Sequence, residues 1–271
     1  MNGTVKKIYE DTYVIVEEGL AGLVNCYLLI GKEKALLIDS GYGIIDLKSI
    51  VSEITNKEVI CALTHGHMDH ANGSYQFENT YMHYGDKEIF NLHCSADFIH
   101  KNWVNGLSFK KPQDETNSEE FFHKLDKVKE AKFKMPRRLQ DIEFFDLGDR
   151  KVSFINTPGH TLGSVCYYDV KFNTLFTGDN ITSRPWLFLD ESVEVEKYKK
   201  GLETVQALID EKNICDLYPA HTRRIFKSSN VEDLIKCCDM SMDESNQGRR
   251  FEFRVGGGTF YNQGKCMLFT K

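Results

Sequence analysis

The sequence predicts an α/β protein in which two sheets lie between helical layers. Three observations predict it. Short runs of β-branched and aromatic residues bounded by turn residues recur through both halves of the 271-residue chain. Several of these runs are almost wholly apolar rather than alternating, as in sheets covered by helices. Each half also contains segments with apolar residues at helical spacing.

Taken in order, "TYVIVEE", "LVNCYLLIG" and "KALLIDSG" read as strands, the last ending in Asp39, Ser40 and Gly41. "IIDLKSIVSEI" places Ile44, Ile45, Leu47, Ile50, Val51 and Ile54 near helical spacing, and "EVICALTHG" is a buried strand ending just before His65. "HMDHANGSYQF" reads as a loop running into a short helix, followed by a strand at "TYMHYG". From 86 to 140 the pattern thins into charged helical pieces around "KKPQDETNSEE", with too little apolar content for a core of its own. This stretch is expected to be a helical insertion or lid.

The second half restarts with strands at "DIEFFDLGD", "RKVSFINTPGH", "SVCYYDV" and "NTLFTGD". A helix follows at "SVEVEKYKKGLETVQALID", with Val195, Tyr198, Leu202, Val205, Leu208 and Ile209 on one face. A strand at "ICDLYPAH", a helix around "NVEDLIKCCDMSM" and a closing β-meander over 250–271 complete the chain. One domain over 1–271 is expected.

Composition narrows the function classes. A hydrophobic share of 41% and a charged share of 27% suit a globular core. The net charge of −6 argues against nucleic acid as partner, since a phosphate backbone wants a basic face. The eight cysteines include no C-x-x-C pair and sit mostly in apolar runs, as reduced buried thiols do. No apolar run is long enough to cross a bilayer, and the start carries no charged-then-apolar signal pattern. A cytoplasmic protein with no membrane partner is expected, and self-association is left open.

The chemistry gathers at strand ends. Asp39, His65, His160, Asp179 and His221 each follow an apolar strand, and "THGHMDH" adds His67, Asp69 and His70. A rigid sheet positions such residues while the loop exposes them. His83, His93, His100 and His123 show no partner spacing and read as surface or structural residues. Arg223 and Arg224 suit either an anionic substrate group or a solvated helix entrance. Tyr42, Trp186 and Tyr218 flank the ligand-bearing loops as pocket walls, oxyanion donors or plain core aromatics.

The ordered set "LLIDSGYG", "THGHMDH", "TPGHTLGS", "FTGDN" and "PAHT" resembles the metallo-β-lactamase fold superfamily over residues 13 to 224. The resemblance implies a four-layer αββα sandwich. It also implies that His65, His67 and His160 bind one metal, that Asp69, His70 and His221 bind a second, and that Asp179 bridges them. Asp69 and Asp39 are the carboxylates given catalytic roles, Asp69 as a ligand and Asp39 by orienting groups within the site. Two divalent ions, zinc above iron or manganese, are expected.

The function implied is hydrolysis of a small-molecule thioester, lactone or ester, with hydroxide generated at the metals as nucleophile. A β-lactamase fits less well, because that branch generally lacks the aspartate kept in "FTGDN". The motif is closer to glyoxalase II and lactonases, although the tail does not resemble a helical glutathione-binding domain. Phosphodiester hydrolysis and a one-iron persulfide dioxygenase are the alternatives.

Overall fold

The computed structural model describes residues 3–18, 22–107, 115–253 and 255–271, with backbone alone for 103–107 and 115–122. Part of the polar stretch, residues 110–114, lies outside the described residues. The chain divides into two compact units, Met1–Arg150 and Lys151–Lys271. The first holds a seven-stranded sheet, and the second holds most strands of two others.

In the first unit, β1 (Thr4–Tyr9), β2 (Thr12–Glu18), β3 (Leu23–Ile30) and β4 (Lys34–Ile38) pair antiparallel in sequence order. The sheet then continues in parallel through β5 (Glu58–Ala62), β6 (Thr80–Met82) and β7 (Arg137–Arg138), giving seven strands. Parallel neighbours need crossovers, and α1 (Leu47–Ile54) supplies the first, between β4 and β5. The sequence pattern misses β1: its largely exposed residues form no apolar run, and it is recruited as an edge by β2.

The first helix starts at Leu47, three residues later than the apolar spacing suggests. Gly43 sits at φ +78° and the amides of Ile44 and Ile45 donate to the buried Glu17 carboxylate, which holds this stretch in the loop ahead of the helix. Asp46 instead caps the helix by accepting from the Ser49 amide at 3.0 Å. The core beneath includes Ile15, Leu28, Leu37, Leu47, Cys61 and Leu63.

Past β5 the chain forms α2 (Met68–Ala71) and a 3-10 turn (Asn72–Gln76), then the helices expected within 86–140: α3 (Lys87–His93), α4 (Ala96–Leu107) and α5 (Glu115–Glu130). A short β8 (Phe144–Asp146) precedes the end of this unit. There Arg150 is 1% exposed, and its guanidinium donates to the Asp11 and Ile30 carbonyls and the Thr12 hydroxyl. These partners offset the cost of burying the charge.

In the second unit, β9 (Lys151–Asn156), β10 (Val165–Asp169) and β11 (Thr174–Gly178) form an antiparallel meander. After β12 (Trp186–Leu187), α6 (Val195–Lys212) crosses over to β13 (Asp216–Pro219), which lies parallel to β11 with β14 (Phe226–Lys227) outside it. α6 ends at Asn213, left-handed at φ +54°. Then come α7 (Asn230–Met242), β15 (Arg249–Phe253), β16 (Gly256–Gln263) and β17 (Cys266–Thr270). The last three strands pair antiparallel in chain order, and β12 joins them to make a third, four-stranded sheet. Tyr198, Leu202, Val205 and Ile209 of α6 meet Leu234 and Cys238 of α7 in the core. All eight cysteines are free thiols and all but Cys215 are buried, in line with the sequence reading.

Candidate metal centre

The expected site residues fall into two groups, one in each unit. In the first unit, β4 and β5 are parallel neighbours, so Asp39 and Thr64 emerge at the same sheet end. Asp39 Oδ1 accepts from the Thr64 amide at 2.7 Å. Its Oδ2 accepts from the Thr64 hydroxyl at 2.8 Å and lies 2.8 Å from His70 Nδ1. A carboxylate offers no proton there, so His70 Nδ1 carries the hydrogen and Nε2 keeps its lone pair. The Thr64 hydrogen is committed to Asp39, which leaves its oxygen to accept from His65 Nδ1 at 3.1 Å. His65 Nε2 is thereby the nitrogen that keeps its lone pair, and it lies 3.1 Å from His67 Nδ1.

The same loop brings His70 Nε2 within 3.7 Å of Asp69 Oδ2. His65, His67 and His70 are buried, while Asp69 is partly exposed. Glycines permit the close packing. A Cβ at Gly73 would stand 1.9 Å from the Ser40 carbonyl oxygen, and one at Gly66 would press on Asp86 at 3.1 Å. Asp39 itself adopts φ +62°, a strained left-handed conformation that aspartate tolerates better than most residues.

In the second unit, His160, Asp179 and His221 follow β9, β11 and β13. Asp179 Oδ2 lies 3.0 Å from His221 Nε2 and 3.8 Å from His160 Nε2. His160 Nδ1 lies 2.9 Å from the Trp186 carbonyl, an obligate acceptor, so its Nε2 too is the lone-pair nitrogen. The His160 amide donates to Asn180 Oδ1 at 2.9 Å, fixing the turn from its backbone.

These spacings fit metal ligation. Two ligands of one tetrahedral ion, each about 2.0–2.1 Å from it, stand about 3.3 Å apart. The four pairs above fall between 3.0 and 3.8 Å. The donor set is imidazole and carboxylate, suited to zinc and its neighbours. Such His and Asp groups are of the kind that hold divalent ions.

Three supporting residues escape the sequence reading. Glu17, fully buried, accepts from the amides of Tyr42, Ile44 and Ile45 and so pins the loop after Asp39. Burial pushes its carboxyl up to about 7 against the lowering effect of those amides. Asp86, also buried, accepts from the Gly66 amide at 2.9 Å. His93 stacks on His67 with ring centroids 4.8 Å apart and accepts from the Met68 amide, a structural role beside the candidate ligands that its spacing did not signal. A charged residue inside the apolar "TYVIVEE" is the one sequence signal among the three. His100, His123, Arg223 and Arg224 are exposed, whereas Tyr42 and Tyr218 are buried.

The sequence profile of the metallo-beta-lactamase superfamily matches residues 19–221, three quarters of the chain. The chain belongs to the metallo-beta-lactamase superfamily. Its α/β fold agrees: a metallo-beta-lactamase from Pontibacter korlensis aligns with a TM-score of 0.61 at 15% identity, over 88% of this chain and 99% of that one. A metallo-beta-lactamase family protein from Thermus thermophilus aligns at 0.56 and 19% identity, over 85% and 80%. At these identities the likeness is one of fold. In sequence, the human acyl-coenzyme A thioesterase MBLAC2 is 24% identical over 210 residues, covering 73% of this chain and 72% of its own. The chain is a metallo-beta-lactamase-fold hydrolase, and no described helix is long and apolar enough to cross a membrane.

Proposed function

We propose that the two groups close on one binuclear centre that hydrolyses a small acyl thioester. In this reading His65, His67 and His160 hold one divalent ion, Asp69, His70 and His221 hold the second, and Asp179 bridges them. The observation that carries it is the tautomer pattern: the protons of His65, His70 and His160 are each engaged on the nitrogen away from the cluster. In this reading each ion takes two donors from the first group and one imidazole, besides the Asp179 carboxylate, from the second, which is why the reading joins them. The thioester is preferred over lactone or ester because of the similarity to the human acyl-coenzyme A thioesterase.

Divalent ions held there supply an acidified water with a pKa of about 7 and a positive charge that polarises the acyl carbonyl. The chain's own part is positional. Asp39 fixes His70 and, through Thr64, His65, so their lone pairs stay aimed without reorganisation during the reaction. The Trp186 carbonyl does the same for His160. Segment 86–140 is proposed as the lid that limits substrate entry.

The test is metal analysis combined with a hydrolysis screen over acyl-coenzyme A thioesters, lactones, phosphodiesters and β-lactams. Two metals per chain and thioester cleavage that is lost on chelation and regained with zinc are expected. Full activity of metal-stripped protein, or one iron with oxygen consumption, overturns the reading.

A further inference from the structure

The carbonyl that orients His160 belongs to a residue whose side chain does something else. The Trp186 indole stacks on Phe253, with ring centroids 5.5 Å apart and planes at 27°, and lies 5.1 Å from Phe188. Phe251 continues the group, 4.9 Å from Phe253 and 5.0 Å from Phe188, and Phe269 closes it beneath Phe253 at 5.3 Å. The Ser192 hydroxyl lies between His160 and Trp186, 2.9 Å from the His160 carbonyl and 3.4 Å from the Trp186 carbonyl.

The inner rings, Phe188 and Phe269, are buried, while Phe253 is 38% exposed and the adjoining Val255 is 61% exposed. An aromatic surface that opens outward next to a candidate reactive centre is a place for an apolar ligand. Most of it is built on β15 to β17, beyond residue 221 where the superfamily match ends. Arg249 and Arg250 at the head of the edge strand β15 disfavour addition of another strand there.

We propose that Trp186, Phe251 and Phe253 form an acyl-chain platform that makes the enzyme prefer medium and long fatty acyl groups over short ones. This rests on the thioesterase reading for its kinetic arm only. Each methylene laid against such a surface favours binding about 4-fold. A chain of several methylenes beyond the carbonyl therefore separates dodecanoyl from acetyl substrates by orders of magnitude.

Two measurements test it. The kcat/KM ratio of dodecanoyl- to acetyl-coenzyme A is expected to fall about 10-fold or more in Phe253→Ala and Trp186→Ala. Separately, Trp103→Phe leaves Trp186 as the only tryptophan. Dodecanoate is expected to shift its emission, with about 10-fold weaker binding once Phe253→Ala is added. A ratio and a titration both unmoved by Phe253→Ala overturn the platform. So does a Phe253→Ala variant that converts a dimer to a monomer while keeping the ratio, since the face is then a contact between copies. If the wild-type protein cleaves no thioester yet dodecanoate titrates Trp186 and Phe253→Ala weakens it, the thioesterase reading falls and the platform stands.

Discussion

The two units hold their candidate ligands in opposite ways. In the first, four of them sit within six residues, His65 to His70, and depend on one side chain, Asp39, which serves two of the imidazoles directly or through Thr64. In the second, three candidate ligands come from three strand ends spread over 62 positions from His160 to His221, and His160 is held by the Trp186 carbonyl and the Asn180 side chain. A dense motif needs tight glycines and a shared carboxylate because neighbouring residues normally point apart. Separated ligands need only a sheet that delivers its strand ends together.

That contrast can be broken in order of expected effect. Removing a ligand from either group, by His67→Ala or Asp179→Ala, is expected to cut turnover about 10³-fold or more, because the acidified water is lost. Metal content by elemental analysis falls with it. If either variant keeps its activity, its group is not part of the centre.

Next come the glycines. Gly73→Ala drives a Cβ to 1.9 Å from a backbone oxygen, and is expected to cost about 3 kcal/mol of unfolding free energy. Gly159→Ala meets the buried side chains of Asn180 and Tyr198 instead, at 2.2 and 2.3 Å, and since Asn180 Oδ1 holds the His160 amide a similar cost of about 3 kcal/mol is expected. Denaturant unfolding of both checks these costs; a cost near zero at either position shows that its close approach relaxes.

Glu17 gives the first unit a pH signature. Its carboxyl, ordinarily near 4.5, is pushed up to about 7 in the folded chain. The folded state therefore binds more protons than the unfolded state between those values, and stability falls as pH rises through that window. The loss is on the order of 3 kcal/mol, and Glu17→Gln is expected to flatten it. Unfolding curves from pH 4 to 8 check the slope.

The smallest effects concern orientation. Asp39→Asn is expected to weaken metal binding about 10–100-fold, as outer partners of ligating histidines do. Ser192→Ala, which leaves the Trp186 carbonyl on His160, is expected to cost less than about 10-fold on the same basis. Competition titration with a chelator compares them, and a larger effect from Ser192→Ala reverses the contrast.

Legibility followed the same division. The apolar strands from Thr12 onward, the helices at 195 and 230 and all seven candidate ligands are readable from local pattern. β1, β7, β12 and β14 are not, since two-residue strands and an exposed edge carry no periodicity of their own and form only because a neighbour offers hydrogen-bonding groups. His93 is invisible for a related reason. It lies 26 positions from His67, on a helix whose packing no spacing rule supplies.

The sequence by itself determined which side chains are available to a metal, because ligand chemistry and strand-end position are local properties. Only the tertiary structure decided which nitrogen of His65, His70 and His160 carries the proton, since each proton is claimed by a neighbour brought in by the fold: Thr64 held by Asp39, Asp39 itself, and Trp186. It also decided that Trp186 meets Phe253, residues 67 positions apart. Hydrogen bonds and ring contacts act over a few ångströms, and only the folded chain makes such distant positions neighbours.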